Sequence, residues 1–460
     1  MHAGQSARIS RWTFLATDLR ASIVTTARHR LGASDRWLLA GAAVLVQLAL
    51  GAVYAWSVFV TPLRDQMGWS RTEATLPFIV TIGVLFLGTL VGGRLQDRVG
   101  PRPVALAGGT IYAAGVMLAS LVETPDQLWL LMLTYGVIAG IGLGAGYIVP
   151  IAMLVKWFPD RRGLITGVAV GGFGAGALIT APVAGWLIDR SDVAQVFLPL
   201  GTAYLVATLV GGSFFRNPPE SYAVAGFEPA APGRVSVTDS YTLAEALGTP
   251  QWYRMTAILA LNVTAGIALI SHASPAAQDL ANVSKATADG VVGILAIFNG
   301  VGRVFWGWTS DSIGRMRAFL MMFAIQGVGF ALLPMASSIG VFFLLGALVY
   351  LCYGGGFGTM PAAAADFFGP RNAGAIYGAI IVGWSIGGAL GPVAIAAIAD
   401  ATDGYTVAFF IIAGMVLAST ALPLTTKTVR RRRERDEGAR KPVSGVPGLV
   451  VAAHRRESRS

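Results

Sequence analysis

The chain has 460 residues, of which 54% are hydrophobic and 13% are charged, and its mean hydropathy is +0.63. A soluble protein carries about a quarter charged residues, so this composition excludes a water-soluble enzyme and an intrinsically disordered chain. The net charge is +10, but 17 of the 34 Lys and Arg residues lie before Trp37 or after residue 426, which is typical of charges that flank membrane spans and not of a nucleic-acid-binding surface.

In chain order, the sequence begins with a basic arm, residues 1–36, that holds six Arg and two Asp. We expect a disordered cytoplasmic arm, although an interfacial amphipathic helix would have the same composition. The arm is followed by apolar runs of about 20 residues, which is the length that crosses a bilayer.

Twelve such runs predict an all-α integral membrane protein with twelve transmembrane helices. Residues 216–253, which are rich in Pro, Gly, Ser and acidic residues, separate six runs from six. We therefore predict an N-terminal half (37–215), a cytoplasmic linker (216–253), a C-terminal half (254–425) and a basic cytoplasmic tail (426–460). The runs lie at residues 37–60, 76–96, 103–122, 128–154, 163–187, 195–215, 254–274, 290–308, 318–336, 340–365, 374–398 and 404–425.

The distribution of basic residues predicts the orientation of these helices. With the N-terminus inside, the inner loops and termini hold 29 of the 34 Lys and Arg residues, and the outer loops hold four. Because basic residues concentrate on the cytoplasmic side, we expect both termini in the cytoplasm. The expected location is a bacterial inner membrane or another plasma membrane.

One short motif occurs in both halves. Residues 93–102 read GRLQDRVGPR, and residues 307–316 read GWTSDSIGRM. The Asp of each GxxxDxxG motif can accept hydrogen bonds from the start of the next helix or from an Arg, so we predict a conformational latch that binds no substrate. The latch residues, which match at a spacing of 214, are Gly93, Asp97 and Gly100 in the first loop and Gly307, Asp311 and Gly314 in the second.

A glycine series repeats at the same spacing of 214 residues: Gly140, Gly142 and Gly144 match Gly354, Gly356 and Gly358. Six matches at one spacing indicate a duplication. Two parallel six-helix repeats predict alternating access to a central site at their interface.

The two GxxxDxxG loops, the twelve spans and the central linker resemble the major facilitator superfamily. More locally, GAVYAWSVFVTPL (51–63), GLGAGYIVP (142–150), KWFPDRRGLITG (156–167) and GGGFGTMPAAAADFFG (354–369) resemble the oxalate/formate antiporter family. That family is related to the proton-linked monocarboxylate transporters. The resemblance implies the major facilitator fold and a small carboxylate substrate.

Arg303 is the only Lys or Arg well inside a predicted span, and no Asp or Glu lies deep in any span. An ionisable residue within the membrane is a functional candidate by default. A missing counter-charge indicates that an anionic substrate supplies it, because a guanidinium binds a carboxylate through two parallel hydrogen bonds. The alternative is that Arg303 lies near enough to the cytoplasmic end to extend to the interface or to join the nearby loop network. Asn299 lies one turn earlier on the same face and is predicted to orient Arg303 or to bind substrate, while a helix-packing hydrogen bond is the alternative. The resemblance also implies a carboxylate-binding Arg in this helix.

Five further residues are candidates, two of them weaker than the others. His272, at the end of the seventh span, is a candidate for proton coupling because histidine titrates near neutral pH, or it is an ordinary hydrogen-bonding residue. Tyr147 follows the glycine series and is a cavity candidate, with Tyr54 and Trp56 weaker ones. By the resemblance, oxalate-exchanging relatives have a lysine where this chain has Trp384, so the change favours a monocarboxylate against an apolar wall, although helix packing would equally explain a Trp.

These observations predict a secondary transporter of small monocarboxylates, such as lactate, pyruvate or formate, that is coupled to protons. An oxalate/formate-like exchanger of organic anions is the alternative, and a membrane-embedded enzyme or receptor is a distant one. We expect no metal and no other cofactor, because the sequence has neither zinc-ligand spacing nor a phosphate-binding loop. The expected partners are the carboxylate, a proton or counter-transported anion, and the lipid bilayer. We expect a functional monomer.

Overall fold

The predicted all-α fold is confirmed by a computed structural model, which describes residues 33–219, 222, 224 and 239–428. The predicted terminal arm and tail lie largely outside these residues. Twelve apolar helices run in chain order, and each coincides with most of its predicted span. Their bounds are α1 (Arg36–Met67), α2 (Glu73–Val99), α3 (Pro101–Leu121), α4 (Pro125–Trp157), α5 (Arg162–Ile188), α6 (Phe197–Ser213), α7 (Pro250–Ala281), α8 (Gly290–Ile313), α9 (Arg315–Met335), α10 (Ile339–Phe368), α11 (Ala373–Thr402) and α12 (Tyr405–Thr425).

Eleven of these helices are long and apolar enough to cross a membrane, and α6 is the short one. Its 17 residues extend about 26 Å at 1.5 Å per residue, slightly less than the hydrocarbon thickness of about 30 Å. The predicted run at 195–215 is longer than the helix because it includes flanking turns. Residues 193–196 before the helix are mostly buried, as is Phe215 after it.

Three of the twelve helices are locally irregular near the middle of the bundle. In α1 a 3₁₀ segment occupies Ala52–Trp56, and in α4 a π-helical segment occupies Met132–Ile138. In α11 a turn at Ile381 separates two helical segments. Such irregularities change the direction of side chains, and they are frequent at functional sites.

The two sets of six helices meet along α5 with α8 and along α2 with α11. The contact is closest at one end of the bundle, where a Cβ on Gly163 of α5 would overlap the carbonyl of Gly307 in α8. Towards the other end of the same helices, a Cβ on Gly185 or Gly290 would meet no described atom within 4 Å. The halves are therefore tightly packed at this end of the bundle, which we call the latch face.

The chain segments outside the spans also attach to the latch face. Arg36 at the start of α1 donates to Asp160 in the α4–α5 loop over 2.8 Å. In the predicted linker, the Tyr222 hydroxyl donates to the Trp157 carbonyl over 3.0 Å, and the Tyr241 N–H donates to the Phe368 carbonyl over 2.7 Å. The end of the predicted linker already belongs to helices, because Leu243–Leu247 forms a short helix and α7 begins at Pro250 instead of residue 254.

The packing of α2 on α4 is repeated by α8 on α10. A Cβ on Gly88 would overlap the Ile141 carbonyl, and one on Gly302 would overlap the Leu351 carbonyl. The positions in α2 and α8 are thus 214 residues apart, whereas those in α4 and α10 are 210 apart. A second pair agrees, because Gly144 meets the carbonyl of Leu85 and Gly354 meets that of Asn299.

This packing corrects one of the sequence interpretations. The glycines of α4 and α10 that match at a spacing of 214 are one helical turn out of structural register. Gly144 corresponds to Gly354 and Gly146 to Gly356. The α4–α5 and α10–α11 loops, residues 158–161 and 369–372, have the same length. The helices that follow them give a third spacing: Gly163 packs on Gly307 as Gly374 packs on Gly93, which is a spacing of 211 for α5 and α11.

Candidate functional site

Arg303 lies in the middle of α8, at the contact with α5, and is 1% exposed. Its Nη1 donates to the Val170 carbonyl of α5 over 3.0 Å, and its Nε lies 3.5 Å from Oδ1 of Asn299. Its Nη2 is buried without a hydrogen-bond partner. Within the described ranges, no carboxylate pairs with this guanidinium, as the sequence predicts. Neutral polar groups therefore surround the charge, and the Nη2 atom is free to form a further hydrogen bond.

Two groups flank the guanidinium plane and its stem. The Cζ atom lies 5.1 Å from the ring centroid of Phe357 in α10, which is a cation–π distance. A Cβ on Gly174 in α5 would lie 3.4 Å from Nε and 3.5 Å from Cζ. The position of Arg303 is therefore set by α5 and α10 as well as by its own helix.

Trp384 of α11 connects the aromatic side chains around Arg303. Its ring lies 4.9 Å from Phe357, 6.1 Å from Tyr147 and 6.4 Å from Phe173, between ring centroids. Trp384, Tyr147, Phe173 and Phe357 are each at most 3% exposed. The structure thus places two predicted site residues, Trp384 and Tyr147, in one aromatic wall beside Arg303.

Hydroxyl groups supply the remaining polar atoms of this region. The buried hydroxyls of Tyr147 and Tyr377 lie close to each other, and both are within electrostatic range of Arg303. Tyr54 of α1 is also close to the guanidinium. Trp56, the other weak candidate, donates from Nε1 to the Ala74 carbonyl over 3.0 Å in a separate aromatic cluster. The tyrosine hydroxyls can donate to an anion as well as accept from Arg303.

His272 lies apart from this aromatic wall. It is six residues beyond Gly266, whose Cα lies against the Tyr353 ring, and it is therefore about 9 Å further from the latch face along α7. The Nδ1 atom is 2.9 Å from the Ser271 hydroxyl, and the ring centroid is 5.9 Å from that of Tyr405. The structure places His272 near the end of the bundle opposite the latch face.

The six latch residues lie together with helix ends of the opposite half. Gly100 and Gly314 both have φ of +93° and end α2 and α8. Asp97 accepts from the Ala375 N–H over 2.7 Å and from Lys156 Nζ over 3.3 Å. The sequence predicts that each Asp contacts the start of the next helix or an Arg, whereas Asp97 of α2 contacts the start of α11 and Lys156.

The second latch has the same geometry and a larger ionic network. Asp311 accepts from the N–H groups of Gly163 and Leu164 at the start of α5, over 2.9 and 2.8 Å. It also pairs with Arg315 over 2.7 Å. Arg315 contacts Asp366 of α10 over 2.8 Å, and Asp366 pairs with Arg162 over 2.7 Å. A negative charge at a helix N-terminus is favourable, so each Asp links the two halves.

The comparisons with known proteins agree with this architecture. The Major Facilitator Superfamily matches residues 39–284 and, separately, residues 255–457. The chain belongs to the major facilitator superfamily. The two matches start in α1 and in α7, which are the first helices of the two halves.

Relatives of this carrier include transporters of small organic anions. It is 31% identical to the uncharacterized MFS-type transporter YhjX of Escherichia coli (strain K12), over 76% of this chain and 85% of the relative. It is 28% identical to the oxalate:formate antiporter of Oxalobacter formigenes, over 86% and 94% of the two chains. Identity to monocarboxylate transporter 13 of Rattus norvegicus is 27%, over 82% and 85%.

Solved structures show the same fold at low identity. A variant of the fucose:proton symporter FucP of E. coli has a TM-score of 0.66 at 13% identity and covers 85% of this carrier and 98% of its own chain. The human organic anion transporter MFSD10 has a TM-score of 0.66 at 14% identity, with coverage of 84% and 99%. These similarities establish the fold of the carrier.

Several residues of the two sites were not predicted from the sequence of the carrier. Aromatic residues carry no signal that separates a cavity wall from ordinary packing, and Arg162 and Arg315 had served only as topology signals. Asp366 lies at the end of α10 and pairs with Arg162 and Arg315, and no local pattern in the sequence indicates these pairs. The missed residues are Phe173, Tyr353, Phe357 and Tyr377 at the site and Lys156, Arg162, Arg315 and Asp366 at the latch face.

The latch geometry generates a prediction about transport kinetics. Asp97→Asn and Asp311→Asn remove the charge that caps a helix of the other half, and a charged hydrogen bond contributes about 1.5–3 kcal/mol. We expect the rate of transport into proteoliposomes to fall about tenfold or more for Asp311→Asn, with a smaller fall for Asp97→Asn.

Equilibrium substrate binding in detergent should change much less than the transport rate, because neither Asp contacts Arg303. Asp160→Asn is a suitable control, since Asp160 pairs with Arg36 within one half. An equal loss of binding and flux in the two latch variants would contradict the latch assignment.

Proposed function

We propose that this major facilitator carrier moves small monocarboxylates, such as lactate, pyruvate or formate, across the membrane by alternating access. The observation that carries the proposal is the buried guanidinium of Arg303, which has no carboxylate partner among the described residues and a free Nη2. A substrate carboxylate would accept from Nη2 and neutralise the charge. The names of the relatives, which mention oxalate, formate and monocarboxylates, support the same chemical class.

The orientation and the conformational state are part of this proposal. The excess of basic residues on one side supports a cytoplasmic location for both termini. The described chain ends lie at the latch face, so the latch face would be cytoplasmic, and the carrier would be closed on that side with its central site buried in this conformation. We further propose a bacterial inner or other plasma membrane and a functional monomer.

Coupling to protons is the favoured energy source, with anion exchange as the second candidate. Co-transport of one proton with one monoanion would carry no net charge across the membrane. The similarity to an oxalate:formate antiporter over 94% of that protein's length favours exchange. The two candidates differ in whether a pH gradient or an opposing anion gradient drives uptake.

The first test concerns Arg303. Arg303→Lys keeps the charge but cannot reproduce the planar group that spans Val170, Asn299 and the free Nη2. We expect carboxylate affinity to fall roughly ten- to hundredfold, because one or two charged hydrogen bonds are lost. Counterflow of labelled pyruvate and formate in proteoliposomes measures this. Full activity of Arg303→Lys would refute the carboxylate-binding role, and Arg254→Lys at the exposed start of α7 is the control.

The second test concerns the number of charges on the substrate. One buried cation compensates one carboxylate, so a dicarboxylate would bring an uncompensated charge into the site and should bind on the order of a hundredfold more weakly. Competition by unlabelled lactate, pyruvate, formate and oxalate measures this preference. Trp384→Lys should shift it towards oxalate, whereas oxalate outcompeting every monocarboxylate in the wild type would refute the one-cation argument.

The third test concerns His272. If its ring carries the coupled proton, His272→Gln should abolish uptake driven by an imposed pH gradient and leave part of the exchange of one carboxylate for another. Both fluxes are measured in the same proteoliposomes, with Gln278→Ala in the same helix as the control. Unchanged gradient-driven uptake would remove His272 from the mechanism and leave protonation of the substrate itself, or exchange.

A further inference from the structure

The guanidinium of Arg303 belongs to the C-terminal half, but α5 of the N-terminal half holds much of its surface. The Val170 carbonyl accepts its Nη1 hydrogen over 3.0 Å. Gly174, one turn further along α5, faces Nε, Cζ and Cδ, and a Cβ there would lie 3.4, 3.5 and 3.7 Å from these atoms. One turn of α5 backbone therefore supports both an edge and a face of the charged group.

On the side that faces Arg303, the space at Gly174 is sufficient for one further carbon atom. Contacts of 3.4–3.7 Å are ordinary van der Waals distances, so an Ala would fit without moving the guanidinium. The Cγ atoms of a Val extend about 1.5 Å beyond Cβ, and a β-branched side chain in a helix is confined to essentially one rotamer. Because the helix backbone cannot retreat, a Val at this position would displace the guanidinium.

We propose that Gly174 is a positioning residue for Arg303, which directs the free Nη2 towards the substrate carboxylate. The proposal rests on the carboxylate-binding role of Arg303 described above. It adds that the side chain at position 174 of α5, on the opposite half, must be small. Gly174 itself touches no substrate in this arrangement. It fixes the direction of the guanidinium by contact on one surface, while Val170 and Asn299 occupy Nη1 and Nε.

This arrangement has a consequence for the transport cycle. Because α5 and α8 belong to different halves, a rocking motion that separates them at this level also removes the Val170 and Gly174 contacts from Arg303. The direction of Nη2, and with it the carboxylate affinity, then differs between the two access states. Gly174 thus links substrate affinity to the position of the half that does not carry the charge.

The direct test is equilibrium binding of labelled pyruvate and labelled formate to the purified full-length carrier. Gly174→Ala should keep the wild-type affinity within about twofold, and Gly174→Val should lower it at least tenfold, because displacement of the guanidinium loses a charged hydrogen bond. Gly185→Val is the matched control, since it makes the same change in α5 at a position with no described atom within 4 Å. Wild-type affinity of Gly174→Val would overturn the proposal.

A double-mutant cycle distinguishes positioning from general helix disruption. Gly174→Val should lower the melting temperature of the wild type more than that of Arg303→Ala, because removing the guanidinium relieves the overlap. Equal lowering in both backgrounds would overturn the proposal. If Gly174→Val does not accumulate in membranes, Gly174→Cys, with its single Sγ, is put through the same two measurements.

The experiment also separates this proposal from the proposed function. Retained binding in Arg303→Lys would refute carboxylate binding by Arg303. Gly174 could then not act by positioning a carboxylate-binding group. Binding that is lost in Arg303→Lys but retained in Gly174→Val would refute only the role of Gly174. Loss in both, with Gly174→Ala and Gly185→Val unaffected, is the expected result.

Discussion

The backbones of α5 and α8 approach each other closely, and both the latch and the position of Arg303 depend on this contact. Gly163 and Gly307 pack with no side chain between them, so polar groups of one helix reach the backbone of the other. At the latch face this lets Asp311 accept from two N–H groups at the start of α5. Further along, it lets Arg303 reach the Val170 carbonyl. A larger residue at either glycine would separate the helices and leave these buried groups without partners, which is costly.

The charge of Arg303 is then stabilised without being neutralised. Burying an Arg at the centre of a span costs about 2.5–3.5 kcal/mol on insertion scales. The Val170 carbonyl and the Phe357 ring offset part of that cost through dipole and quadrupole interactions. Neither removes the net charge, whose field extends through a low-dielectric interior. An anion is therefore the ligand that changes the energy of this site most.

The sequence predicted what depends on composition and local pattern, and failed where distant segments meet. Twelve spans and the isolated charge of Arg303 follow from residue types alone. The contact of Asp97 with Ala375 joins residues 278 apart, and nothing local distinguishes that helix start from the nearer one. The glycine series misled because glycines recur every few residues in these helices, so a spacing of 214 also matched positions one turn apart. Only backbone contacts establish that Gly144 corresponds to Gly354.

The corrected correspondence between the two halves shows where they differ in charge. With a spacing of 214 in α2 and α8, Arg303 corresponds to Thr89, whose hydroxyl donates to the Gly378 carbonyl over 3.0 Å. With 211 in α5 and α11, Trp384 corresponds to Phe173, and the two rings are in contact. Both halves therefore contribute an aromatic wall, while one contributes the only cation of this central region within the described residues. The two halves thus share their packing geometry, and the residues at the Thr89 and Arg303 positions account for the difference in charge between them at this level.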